Sequence, residues 1–342
     1  MTRPTSTLTT ATLATLAAAA ILAAALVLAG GCQRERAAPR VPWPGEAPAC
    51  APPTASGAAW RHDRSAVVAR MGEPRHVASD VVVPARTRPE LVAKFAYGKV
   101  SKDLEGEDVD VYLAGADCAV RRLGRTGTDD DGRAGYQAPA LPPGHHRYWM
   151  RVAGDGSAAE GGVWVLPGAT PAVVFDVDGT LTIDDGELLD DLLGRGAEAF
   201  AGAAAVARAW ADKGYLVVYV TGRPYPLRER TRRWLVTGGF PFGPLFTPDR
   251  LRDGRPSRDG VGAFKREALT ALQAAGLRVV RAYGNAATDV CAYAEAGIPP
   301  ASTFILGTPT PCDAHPLPHA LPGYVDHLAD VEAQPAAATL AP

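Results

Sequence analysis

Two aspartates one residue apart, Asp176 and Asp178, follow the apolar run Ala172–Phe175 and precede Gly179. A turn at that glycine throws both carboxylates toward one space at the carboxyl end of a strand, where open α/β sheets bind ligands. Two anions that close repel unless a cation lies between them, and an oxygen-only site suits a hard divalent ion, Mg²⁺ above all. Further along, polar groups recur at element ends: Thr221 in Thr221-Gly222-Arg223-Pro224, Lys265 in the first turn of an expected helix, Asn285, and Asp289. A hydroxyl and an ammonium beside a metal are what a dianionic phosphate ester needs if a carboxylate is to approach it.

The elements that must position these groups read as strand–helix–strand from Thr170 onward. Ala172–Phe175 is apolar and β-branched enough for a buried parallel strand. Residues 196–213 predict a helix with Phe200, Ala203, Ala207 and Trp210 on one face, stopped by Gly214. Strands are expected at 215–220, 277–283 and 302–306, and helices at 226–237 and 262–275. Repeated βαβ units imply an α/β, doubly wound parallel sheet under right-handed crossovers. Upstream, Val109, Val111 and Leu113 alternate with Asp110 and Tyr112, the period of a half-buried strand. Further strands around 148–152 and 163–166, with turn residues between them, predict a small immunoglobulin-like β-sandwich over 91–168. The triple aspartate 129–131 lacks the surroundings of an EF-hand and reads as a turn.

Asp176-Val177-Asp178-Gly179-Thr180 after its strand resembles the first motif of the haloacid dehalogenase superfamily. The resemblance implies that Asp176 is a nucleophile and Asp178 a general acid/base, with Thr221 and Lys265 completing the catalytic set. Thr180, Gly222 and Arg223 are then substrate-binding, and Asp176, Asp178, Asn285 and Asp289 hold Mg²⁺. Asn285 departs from the commoner two-acid pattern, which implies weaker metal binding. Phe175–Thr180, Tyr219–Pro224, Phe264-Lys265 and Tyr283–Val290 are similar to the catalytic half of lipins and still more to the LNS2 domain of membrane-associated phosphatidylinositol transfer proteins. Lipins dephosphorylate phosphatidic acid; LNS2 domains of transfer proteins bind it and typically lack the nucleophilic Asp, which this sequence retains. The implied function is a Mg²⁺-dependent phosphatase forming an aspartyl-phosphate from phosphatidic acid or a related phosphomonoester. A non-catalytic phosphatidic-acid-binding membrane module and a general extracytoplasmic phosphatase for soluble esters are the alternatives. The stretches between motifs are filled by the helices the sheet needs, leaving no large cap over the site.

The net charge of −2 leaves no basic footprint for nucleic acid. Arg228, Arg230, Arg232 and Arg233 sit on one expected helix, to meet anionic lipid or, more simply, to form a solvated face. Residues 1–32 read as a targeting segment: an uncharged Ala/Leu run ends in Ala29-Gly30-Gly31-Cys32, which resembles a bacterial lipobox with Cys32 lipidated. The expected location is therefore extracytoplasmic, lipid-anchored to a bacterial membrane. Residues 33–90 read as a Pro/Ala-rich tether and lead-in with a short helix at 64–71, and 334–342 as a disordered tail. Four cysteines remain, with three possible pairings; Cys291–Cys312 is preferred, Cys50–Cys118 follows by elimination, and Cys50 could equally stay free.

Overall fold

The run Val77-Ala78-Ser79-Asp80-Val81-Val82-Val83 carries two short strands rather than one, because Ser79 and Asp80 interrupt it. A computed structural model describes residues 43, 45–46, 50–54, 59–115, 118–183, 197–248, 258–313 and 315–337. Helix α1 (Asp63–Ala69) leads into β1 (Val77–Ala78), β2 (Val81–Pro84), β3 (Glu90–Lys94), β4 (Ala96–Tyr97), β5 (Lys102–Asp103), β6 (Asp108–Ala114), β7 (Val120–Gly127), β8 (Arg133–Gln137), β9 (Gly144–Val152) and β10 (Ala158–Leu166). One sheet has the order β1-β3-β8 and the other β2-β10-β9-β6-β7, with β4-β5 a separate ribbon. Alternate residues of both sheets, among them Leu91, Phe95, Val109, Val111, Tyr148, Met150 and Val163, are withdrawn into the core between them. The sandwich thus includes β1 and β2, ahead of the expected start at 91; β2 joins β10 in parallel, a pairing too short and too distant to leave a period. The aspartate triplet is a turn: Asp129 Oδ1 accepts the amides of Asp131 and Arg133 at 3.0 and 2.8 Å.

Only three residues separate β10 from β11 (Thr170–Phe175), the centre of the second sheet. There follow α2 (Ala203–Asp212), β12 (Leu216–Val220), α3 (Arg228–Thr237), β13 (Leu245–Phe246), α4 (Arg258–Ala274), β14 (Leu277–Gly284), α5 (Ala287–Glu295), β15 (Thr303–Leu306), β16 (His319–Leu321) and α6 (Tyr324–Glu332). The order is β13-β12-β11-β14-β15-β16, parallel throughout. Every residue of β12 is buried, as a strand covered on both faces requires. Trp210 of α2 and Tyr324 of α6 join Phe175 and Tyr219 on one face; Leu269 and Leu272 of α4 and Tyr293 of α5 join Val174 and Val218 on the other. This is a doubly wound α/β domain behind a β-sandwich.

Helix α2 begins at Ala203 because Gly202, at φ +84°, turns the chain where an added Cβ would lie 3.0 Å from the amide of Val325. Residues 334–337 are held rather than loose. Lys213 Nζ donates to the carbonyl of Gln334 at 2.8 Å, the Tyr215 hydroxyl to that of Pro335 at 3.0 Å, and the Ala337 amide to that of Lys213 at 2.9 Å.

The two domains meet through rings and a buried charge cluster. His145, Trp164 and Phe242 pack with centroids 4.6–5.7 Å apart. Beside them Asp80, whose side chain is 2% exposed, pairs Oδ1 with Arg228 Nη2 at 2.7 Å and Oδ2 with Arg232 Nη2. It also accepts the amides of Gly162 at 3.0 Å and Leu245 at 2.8 Å. Two arginines of the expected basic face are therefore turned inward to clamp the sandwich, Arg228 buried and Arg232 partly so. Burial alone would raise the Asp80 carboxyl; Arg228 and Arg232 outweigh it and hold it below its ordinary range. Disulfides join Cys50 to Cys118 and Cys291 to Cys312.

Candidate active site

Strand β11 delivers Asp176 to the sheet's carboxyl edge, and the chain then closes on itself. The amides of Leu181 and Thr182 return to the Val177 carbonyl at 2.8 and 3.1 Å, the Gly179 amide reaches Thr182 Oγ1 at 3.0 Å, and Gly179 takes φ +66°, which suits a residue without a Cβ. The Tyr324 hydroxyl fixes the loop from α6 through the Thr180 carbonyl at 3.0 Å. Asp176, buried, and Asp178, partly exposed, are thereby set in a hydrogen-bonded turn.

Lys265 reaches the same point from α4. That helix starts four residues before the expected Gly262, so Lys265 lies two turns in rather than in the first turn. Its Nζ lies 2.7 Å from Asp176 Oδ1 and 2.5 Å from Asp289 Oδ1, and all three side chains are nearly inaccessible. Burial opposes the ammonium, but Asp176 and Asp289 outweigh it and raise the Lys265 pKa. Burial also drives the Asp176 carboxyl upward, Lys265 pulls it back, and Asp289 and Asp178 push it up again. Asp289 is doubly employed, because its Oδ2 accepts the amides of Asn285 and Ala286 at 3.2 and 3.1 Å and so caps α5. Gly284 makes this possible: a Cβ there would come within 2.7 Å of the Asp289 carboxyl carbon.

Thr180 bridges toward the remaining oxygens, its hydroxyl 3.1 Å from Asp176 Oδ2 and 3.3 Å from Asn285 Oδ1. Asp178 faces elsewhere. Its Oδ2 accepts the Thr221 hydroxyl at 2.9 Å and its Oδ1 accepts Arg223 Nε at 2.7 Å, while Thr221 Oγ1 also takes the Arg223 amide at 3.1 Å. Arg223 is fully buried and continues to Thr231 Oγ1 on α3 at 3.3 Å. Thus Asp176, Lys265, Asp289, Thr180 and Asn285 come together, and Asp178, Thr221 and Arg223 form an adjoining cluster. Asp178, Gly222 and Asn285 are the partly exposed members, so the site opens past them.

Asp178, expected as a metal ligand with Asp176, Asn285 and Asp289, turns its carboxylate to Thr221 and Arg223 instead, and among the described residues no three His, Cys, Asp or Glu side chains form a metal cage. The donors still fit magnesium. Asp176 and Asn285 converge on one hydroxyl with hard oxygens, and Mg²⁺ is commonly held by one or two carboxylates together with waters and substrate phosphate. Asp80 and Thr231 had no motif to mark them; the one hint was a lone acid inside an apolar run.

Residues 173–307 match the family model for the LNS2 domain of PITM 1-3, and residues 74–165 that for the PITM 1-3 beta-sandwich domain. The chain is 33% identical over 281 residues to membrane-associated phosphatidylinositol transfer protein 1 of Homo sapiens, covering 80% of this chain and 22% of that protein. It is 30% identical over 292 residues to membrane-associated phosphatidylinositol transfer protein 3 of Homo sapiens (84% and 29%) and 31% over 280 residues to protein retinal degeneration B of Drosophila melanogaster (80% and 21%). The chain thus spans less than a third of the length of these relatives. These relatives are proteins of Homo sapiens and Drosophila melanogaster, the human ones named as membrane-associated phosphatidylinositol transfer proteins, which overturns the expected location as a bacterial extracytoplasmic lipoprotein. Residues 1–32, with Cys32, lie outside the described residues.

Proposed function

From a β-sandwich and LNS2 domain pair over residues 74–307, we propose that this chain is a magnesium-dependent phosphomonoesterase acting on phosphatidic acid or a related anionic phosphate ester at a membrane. The observation that carries the reading is Asp176 itself, held at the head of the central strand 2.7 Å from the Lys265 ammonium. A carboxylate so placed attacks phosphorus in line, the bond to the leaving oxygen breaks, and the phosphoryl group passes to Asp176 as an aspartyl-phosphate. Asp178 gives its proton to the departing alkoxide and later takes one from the water that cleaves the acyl-phosphate, restoring Asp176 and releasing phosphate. Lys265 offsets the repulsion between Asp176 and the phosphate dianion, and the Gly222 segment, open to solvent, meets the phosphoryl oxygens. Magnesium, held by Asp176 and Asn285 with Asp289 behind them, would supply further neutralisation of the phosphoryl oxygens.

A second reading, a lipid-binding module without turnover, is favoured by one feature: both oxygens of Asp178 are already taken by Thr221 and Arg223. Phosphate release from phosphatidic acid vesicles and from soluble monoesters separates the two. Asp176→Asn should lower turnover by several orders of magnitude while vesicle binding at saturating magnesium survives. Wild-type protein that binds vesicles, releases no phosphate and matches Asp176→Asn would establish the module instead.

A further inference from the structure

The adjoining cluster around Asp178 leads back, atom by atom, to the β-sandwich. Arg223 Nε holds Asp178 Oδ1 at 2.7 Å, and Arg223 Nη1 rests 3.3 Å from Thr231 Oγ1 on α3. One residue to one side of Thr231 and three to the other are Arg232 and Arg228, the two arginines that grip Asp80. The second oxygen has its own route. Asp178 Oδ2 accepts the Thr221 hydroxyl at 2.9 Å, and the Thr221 amide donates to the Phe246 carbonyl at 3.0 Å. Phe246 follows Leu245 in β13, and the Leu245 amide donates to Asp80 Oδ2 at 2.8 Å. Both carboxylate oxygens of Asp178 are therefore oriented by elements that one sandwich aspartate holds in place.

We propose that Asp80 is a positioning residue for Asp178: the sandwich fixes α3 and β13, and through Arg223 and Thr221 these set the direction of the acid/base carboxylate. The proposal deepens the phosphatase reading, on which its kinetic consequence rests. Asp80, Arg228, Arg223 and Thr231 are buried and hydrogen-bonded, so a change at Asp80 has few ways to relax except by moving α3 or β13. The sandwich is then part of the site and more than a spacer.

The test follows the Nε–H signal of Arg223 in the arginine region of a heteronuclear NMR spectrum, assigned by its loss in Arg223→Lys. Asp80→Asn and Thr231→Val should each shift that signal, and Thr231→Ser should restore it. In the same variants kcat for an alkyl phosphate, which needs a proton on its leaving group, should fall on the order of tenfold, with less change for a nitrophenyl phosphate and little in KM. Should Asp80→Asn fail to fold, Arg232→Met, which removes one of the two guanidinium contacts to Asp80, is read in its place and should shift the same signal. A folded variant set with the Arg223 signal unmoved overturns the proposal. Wild-type protein without any phosphate release removes the phosphatase reading, and the Arg223 signal then decides the positioning by itself.

Discussion

Replacing Lys265 by Met keeps the reach and the apolar stem of the side chain but removes the cation that Asp176 and Asp289 share. The ammonium stands 2.7 and 2.5 Å from their oxygens, and none of the three side chains is more than 5% exposed. At an effective dielectric near 20, each contact carries a Coulomb attraction of about 6 kcal/mol, most of it offset by the desolvation of the charges. What remains visible when one partner of a buried pair is removed is about 3–5 kcal/mol, because uncompensated charge stays behind. Here two carboxylates are left facing each other, so Lys265→Met should lose about 4 kcal/mol in urea unfolding at neutral pH without magnesium. The double variant Lys265→Met/Asp289→Asn relieves that repulsion, and its amide oxygen can still accept the Asn285 and Ala286 amides. It should recover about 2 kcal/mol, a coupling within the range for residues in one network. Lys265→Met unfolding at the wild-type midpoint, or a double variant no more stable than the single one, would refute the shared-cation account.

Three further outcomes are expected. Burial holds His145, set against Trp164 and Phe242 with Asp80 opposing, and His76, beside Ser157 with Asp155 opposing, down to about 4 from 6.5. The unfolded chain then binds the extra protons, so stability should fall as pH drops from 6.5 toward 4, by about 3 kcal/mol per histidine, with the Asp80 contribution lost at still lower pH; His145→Phe should flatten the first part of an acid-unfolding curve. Asn285→Asp should bind magnesium more tightly in calorimetric titration, since it adds an anion beside Asp176; unchanged or weaker binding would remove Asn285 from the ligand set. Cys50→Ser/Cys118→Ser, which opens a loop of 68 residues, should cost about 4 kcal/mol and Cys291→Ser/Cys312→Ser, with 21, about 3 kcal/mol, read from thermal unfolding under non-reducing conditions.

What could be read from the chain was what local pattern enforces. Ala172–Phe175 is uniformly apolar because both faces of a central parallel strand are covered, and the aspartates that end it must lie at the ligand edge. Thr221 and Asn285 announced themselves by following strongly apolar strands, whereas Lys265, expected in the first turn of its helix, lies two turns in. The two-residue strand β13 had no length over which a period could show. The α3 arginines looked like a solvent face because sequence gives charge without its partner, and that partner, Asp80, comes some hundred and fifty residues earlier. Asp178 was expected among the metal oxygens, and its rotation toward Arg223 follows from packing between α3 and the loop after β12. No spacing rule carries that information.

The clamp at Asp80 also orders events during synthesis. The sandwich has all its strands once Leu166 emerges, yet Asp80 then lacks Arg228, Arg232 and the Leu245 amide, and Trp164 lacks Phe242. The roughly eighty residues still to come take about 4–16 s at common elongation rates. For that interval a nearly finished domain displays an unpaired carboxylate beside an indole that the mature protein never shows to water. A nascent chain stalled in this window is the form in which aggregation should begin, and the arrival of α3 ends the exposure.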